Sequence, residues 1–154
     1  MQPNDLVAVT GASGFIASEL VATLLARGLR VNGTVRSKAK AAHLQLIPGA
    51  AERLTLFEAE LLGPSAAFDP AFVGCSVVFH TACPFIVTAR AAPLGEEFFV
   101  GPAVKGTESV LEACGRTPGL RRVVLTSSCA AIFKRLVPAD HVYTEVRAAC
   151  APGA

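Results

Sequence analysis

A short apolar run, Leu6-Val7-Ala8-Val9-Thr10, feeds straight into Gly11-Ala12-Ser13-Gly14 and then into a stretch of helical apolar spacing from Phe15 to Arg27. Few folds accept that order. The run lacks polar alternation, so it predicts a strand covered on both faces. Apolar residues at Ile16, Leu20 and Leu24, and again at Ala17, Val21 and Leu25, predict a helix with Gly28 as its C-cap. The spacing Gly11-x-x-Gly14-x-x-Ala17 at a strand-to-helix junction has a specific physical use. Glycine permits a tight turn and lets a pyrophosphate approach the backbone. A small third residue allows helix and strand to come close, and the helix start offers unpaired N–H groups at its positive end. The junction therefore reads as a dinucleotide-binding one.

Strands and helices keep alternating along the chain. Arg30 to Val35 predicts a second strand, and Ala39 to Leu46 a helix stopped by Pro48-Gly49. Leu54 to Phe57 predicts a third strand, Ser65 to Phe72 a weak helix, and Val77 to His80 a fourth strand. A helix follows from about Phe98 to Cys114, with Pro102 expected in its first turn, and then a fifth strand from Arg122 to Thr126. This alternation implies an α/β fold of Rossmann type, a doubly wound parallel sheet with helices on both faces, truncated after about the fifth strand. Residues 1–135 form one incomplete domain, and 136–154, rich in Ala with Pro138 and Pro152, read as an irregular tail.

Composition narrows the partners. A chain of 154 residues has room for one domain, and 52% hydrophobic against 17% charged residues supplies a core. Net charge is only +2, and basic residues gather no further than Arg121-Arg122 and Lys134-Arg135. Aromatics are sparse, with nine Phe, one Tyr and no Trp, which also argues against base-stacking platforms, so nucleic acid is not expected as a main partner. Five cysteines (75, 83, 114, 129 and 150) make no CxxC pair and are odd in number. They read as reduced, mostly structural thiols in a cytoplasmic protein. Pro70 to Ala89 lacks any Asp, Glu, Lys or Arg, yet Gly74, His80 and Pro84 argue for a buried strand rather than a membrane span. No signal peptide is read at the amino terminus. His43, His80 and His141 are too scattered for a metal site.

A second functional signal stands at the end of the second strand. An NAD-binding chain places an acid there to hold the ribose hydroxyls. This chain has Arg36 instead, followed by Lys38 and Lys40. A guanidinium can clamp a 2′-phosphate in bidentate fashion, which favours NADP(H) over NAD(H).

Six segments in order, TGASGFIAS (Thr10–Ser18), TVRS (Thr34–Ser37), LTLFEAEL (Leu54–Leu61), VFHTACPF (Val78–Phe85), VKGTESVLEAC (Val104–Cys114) and RRVVLTSSCAAI (Arg121–Ile132), together resemble the extended short-chain dehydrogenase/reductases, in particular the dihydroflavonol reductase and cinnamoyl-CoA reductase group. The resemblance covers nearly all of residues 5–133. It implies carbonyl reduction with NADP on a small-molecule carbonyl substrate. By position it implies that Gly11, Ser13, Gly14, Phe15 and Ile16 line the pyrophosphate and that Arg36 and Lys40 hold the 2′-phosphate. Glu60-Leu61, where the family usually has Asp-Leu, would touch the adenine, and Thr81 and Ala82 would flank the ribose and nicotinamide. Ser128 matches the serine that hydrogen-bonds the substrate carbonyl.

One departure stands against these matches. The family resembles a relay in which a tyrosine acts as general acid and a lysine four residues later lowers its pKa. The only tyrosine here is Tyr143, and Arg147 stands four residues on. Tyr143 falls in DHVYTE (Asp140–Glu145), which resembles a loop segment of the group, so the true pair is expected beyond residue 154. Val146 to Ala154 reads as unrelated sequence from a truncated or mis-spliced product. The chain alone is then expected to be inactive. A nucleotide-sugar epimerase or dehydratase, and a non-catalytic NADP-binding module, share the glycine motif and remain alternatives.

Overall fold

The computed structural model describes residues 1–84, 97–131 and 142. Five strands, β1 (Leu6–Thr10), β2 (Arg30–Val35), β3 (Leu54–Glu58), β4 (Val77–His80) and β5 (Arg122–Leu125), form one sheet in the order β3-β2-β1-β4-β5. Every pairing is parallel, with Leu6 opposite Arg30 and Val7 opposite both Val31 and Val77. The helices are α1 (Phe15–Ala26), the one-turn α2 (Ala50–Arg53) and α3 (Asp69–Phe72), and α4 (Glu97–Gly115).

Side chains leave a strand in alternate directions, and β1 divides the core accordingly. Val7 and Val9 join Val21, Leu24 and Leu25 of α1 on one face. Ala8 joins Phe68, Phe72 and Val110 on the other, under α3 and α4. Burying each of Val21, Leu24 and Leu25 contributes about 1.5–3 kcal/mol, which is what holds α1 on the sheet. Asn32 of β2 is one of the polar residues buried in this core. Its amide nitrogen donates to the Ala71 carbonyl at 2.8 Å, tying β2 to α3.

The expected α/β fold with helices on both faces is what the structure shows, and β2 and β4 have the expected bounds. Three local expectations need correction. Ile16 does not join the buried face of α1; it is 66% exposed, because only Ala17, Val21, Leu24 and Leu25 point inward. Ala39 to Leu46 forms a 3-10 helix over Ala42–Leu46, with only Leu44 buried in it. Lacking an apolar stripe, that alanine-rich segment has nothing to hold a full α-helix against the sheet. Pro102 lies in the interior of α4 rather than its first turn, since the helix begins at Glu97. No helix among the described residues is long and apolar enough to cross a membrane.

Gly33 shows how tightly the sheet and the glycine turn meet. A Cβ there would lie 2.8 Å from Ala12 Cβ and 3.0 Å from Leu56 Cδ2. Ala12 has no rotamer to escape with, so the backbone would have to shift. Gly33→Ala is expected to lower stability by a net of about 1–2 kcal/mol, overpacking outweighing the loss of unfolded-state freedom. The urea midpoint reads this directly.

Candidate functional site

The turn after β1 is built around Gly11, whose φ of +64° is in the left-handed region. Three bonds fix it. The Gly11 amide donates to Thr34 Oγ1 at 3.3 Å, the Ala12 amide to the Thr34 carbonyl at 2.9 Å, and the Gly14 amide to the Gly11 carbonyl at 2.8 Å. The chain then enters α1 from an extended Gly14, with no side chain capping the helix and no acidic residue in its first turn. Ser18 is the first to donate within the helix, to the Gly14 carbonyl. The amides ahead of it therefore have no intrahelical acceptor, and the helix presents an uncompensated positive end.

Beside this junction lies a cleft of about 500 Å³. It opens at the carboxyl ends of β1 and β4, where the strand order reverses, the usual place for a ligand in an open parallel sheet. Gly11, Ser13 and Gly14 form one wall, Arg36 stands at the tip of β2, and Glu60, Leu61, Thr81 and Ala82 line further parts of it. A Cβ on Gly11 would sit 3.1 Å from both Cα and Cβ of Ala82, so the glycine keeps two walls of the cleft from colliding. A Cβ on Gly106 of α4 would fall 2.7 Å from Leu61 Cγ, which shows that α4 supports the loop after β3 from behind.

Not every residue singled out in the sequence reaches this cleft. Phe15 and Ile16 stand at the start of α1, 95% and 66% exposed, outside the lining. Lys40 lies in the turn after Arg36, exposed and also outside it. Ser128 follows β5, exposed and not part of the lining. Tyr143 and Arg147, and the tail other than Val142, lie outside the described residues. Conversely, Thr34, Val35, Ala59, Leu62, Phe68, Cys83 and Pro84 line the cleft without having been singled out. Thr34, Val35, Cys83 and Pro84 fall inside the TVRS and VFHTACPF segments, so the signal was present. Phe68 comes from a weak helix distant in sequence, and only folding brings it there.

The cysteines divide by depth. Cys75 and Cys114 are buried, and burial pushes both thiols up to about 11, leaving them protonated and inert at neutral pH. Cys83 and Cys129 are exposed, against the expectation of structural cysteines, because each lies just past a strand end. Among the described residues no group of three or more His, Cys, Asp or Glu side chains could hold a metal ion.

Comparison with known proteins follows the same lines. The cinnamoyl-CoA reductase CAD2 of Medicago truncatula is 50% identical over 132 residues, 84% of this chain and 39% of that protein. The tetraketide alpha-pyrone reductase 1 of Arabidopsis thaliana is 44% identical over 154 residues, 94% of this chain and 46% of that one. Gre2 of Candida albicans, solved in complex with NADPH, superimposes with a TM-score of 0.70 at 36% identity, covering 84% of this chain and 38% of that structure. The chain thus spans well under two thirds of these relatives. The sequence pattern of the NAD dependent epimerase/dehydratase family matches residues 7–145. With the glycine turn, the parallel sheet and the cleft at its switch point all in place, this chain belongs to the NAD dependent epimerase/dehydratase family.

Proposed function

We propose that the cleft binds NADP(H) and that the chain is the cofactor-binding portion of a carbonyl reductase resembling the cinnamoyl-CoA and dihydroflavonol reductases. The observation that carries this reading is the pairing of an uncapped helix start with Arg36 across one cleft. The helix start favours a diphosphate. A guanidinium at the tip of β2, where an acid would select NAD(H), favours a 2′-phosphate. The residues fit a dinucleotide at the point where fit is most demanding, since Gly11 leaves a space that any side chain would fill.

In this reading Ser13 and Gly14 hold the diphosphate, with Phe15 and Ile16 contributing their backbone amides. Arg36 grips the 2′-phosphate, and Glu60 and Leu61 border the adenine. Thr81 and Ala82 face the ribose on the nicotinamide side, and Ser128 orients a substrate carbonyl. When bound, the reduced nicotinamide supplies a hydride to such a carbonyl. A tyrosine near its free pKa of about 10 is a poor proton donor at neutral pH without a nearby cation. These 154 residues have no Tyr-x-x-x-Lys pair, so they bind cofactor without turning it over.

Fluorescence titration of the chain with NADPH and with NADH tests the reading. NADPH is expected to bind at least tenfold more tightly, the equivalent of about 1.4 kcal/mol. Equal affinity, or no binding of either, overturns it.

A further inference from the structure

Thr10 and His80 end two neighbouring strands, β1 and β4, and lie opposite each other in register. Both are buried, at 0% and 2% exposure. Thr10 Oγ1 is 2.8 Å from His80 Nδ1, and it also receives the backbone amides of Thr81 and Ala82, each at 3.2 Å. The Thr81 hydroxyl in turn donates to the Thr10 carbonyl. Four hydrogen bonds thus converge on one threonine, and three of them hold the residues that form a wall of the cleft.

Counting protons fixes the roles. A hydroxyl has one proton to give and two lone pairs to receive. Backbone amides can only donate, so Thr81 and Ala82 occupy both lone pairs. The remaining hydroxyl proton must point at His80 Nδ1, which therefore carries no proton of its own. The imidazole is neutral with its hydrogen on Nε2. Burial supports this, since it pushes the His80 pKa below its ordinary value.

We infer that Thr10 and His80 are positioning residues of the cleft: His80 Nδ1 orients the Thr10 hydroxyl so that its lone pairs fix the Thr81 and Ala82 amides at the distance a bound dinucleotide requires. The inference rests on reading the cleft as a cofactor site. The distance matters because Ala82 already stands where a Cβ on Gly11 would touch it at 3.1 Å. Release of the Ala82 amide lets that wall drift toward or away from the glycine turn, and the cleft loses its width. A buried histidine that merely filled space would have no need of a specified tautomer.

The test uses the 154-residue chain and three readouts. Nitrogen-15 NMR of the wild-type imidazole is expected to show Nδ1 unprotonated and Nε2 protonated. Thr10→Val removes the hydroxyl at nearly constant volume. It is expected to weaken NADPH binding about tenfold and to speed hydrogen exchange at the Thr81 and Ala82 amides, because two buried donors lose their acceptor. Thr10→Ser restores the hydroxyl and is expected to return both readouts to within about threefold of wild type. A proton on Nδ1 overturns the inference, as does a folded Thr10→Val chain with wild-type affinity and exchange. Should Thr10→Val fail to fold, the imidazole spectrum and the Thr10→Ser measurements decide the matter. Failure of the wild-type chain to bind NADPH overturns the cofactor reading instead, and the tautomer and amide exchange of the unliganded chain still decide whether Thr10 and His80 hold the loop.

Discussion

Gly11→Ala is expected to lower NADPH affinity by about 100-fold or more, with the chain still folded, for two reasons that add. The left-handed backbone at this position, φ +64°, costs an L-residue about 1–2 kcal/mol. The new methyl would also lie 3.1 Å from the Ala82 backbone, which has no side-chain rotation with which to retreat. The turn relaxes by rotating Gly11 out of its conformation, which breaks the Thr34 contact, or by pushing Ala82 away. Either change alters a wall of the cleft. Gly28→Ala separates strain from site damage. Its φ is +76°, its nearest outside atom is Pro3 Cβ at 3.7 Å, and it lies far from the cleft lining. That variant is expected to lose about 1 kcal/mol of stability and to bind NADPH as wild type does. Equal binding by both variants would remove Gly11 from the site. Isothermal titration for affinity and urea unfolding for stability supply the numbers.

The contrast between these glycines also shows what could be read from the sequence. Gly11 and Gly14 sit at a junction whose order of strand, turn and helix is local, so the turn is legible, whereas the Thr34 bond and the Ala82 wall that also hold Gly11 come from residues far along the chain. The same locality makes β1, β2 and β4 legible: β1 and β4 are short, largely apolar runs, and β2, though it carries Asn32, Gly33 and Thr34, is ended by the charged stretch Arg36-Ser37-Lys38. Gly33 was not legible as a contact point, although a glycine inside a strand marks close approach. What approaches it is Ala12, and that pairing exists only once β1 and β2 lie side by side. Leu61 and Gly106 are the same case over a longer separation. The alanine-rich segment after Arg36 misled in the opposite direction. Its composition favours a helix, but only Ala41 and Leu44 are buried in it, so a 3-10 helix over Ala42–Leu46 stands in its place. Sequence spacing says of His80 only that it is too far from the other histidines for a metal site, and the structure buries it. Its bond to Thr10 could not be seen in a sequence where the two stand 70 residues apart.

Arg36→Asp is expected to reverse the choice of cofactor. In the wild-type chain the guanidinium stands at the tip of β2, exposed, on the lining of the cleft. The segment that follows is pinned by the Lys38 amide, which donates to Glu58 Oε1 at 2.8 Å, so the arginine projects from an ordered backbone. Hydrogen bonds from a charged donor to a phosphate contribute about 1.5–3 kcal/mol. Replacing the donor with a carboxylate removes them and adds repulsion between like charges. NADPH affinity should fall about 100-fold, whereas NADH, which has no 2′-phosphate, should bind equally well or better, because an acid can accept from the ribose hydroxyls. Since residue 36 is exposed, salt should erode both the wild-type preference for NADPH and the variant's repulsion of it, bringing the two selectivities closer together. Lys40 provides the comparison. It lies in the turn beyond Arg36 and off the cleft lining, so Lys40→Ala should change NADPH affinity less than about threefold. A larger loss for Lys40→Ala than for Arg36→Asp would move the phosphate grip from the strand tip to the turn, and retention of the NADPH preference in Arg36→Asp would remove the grip altogether.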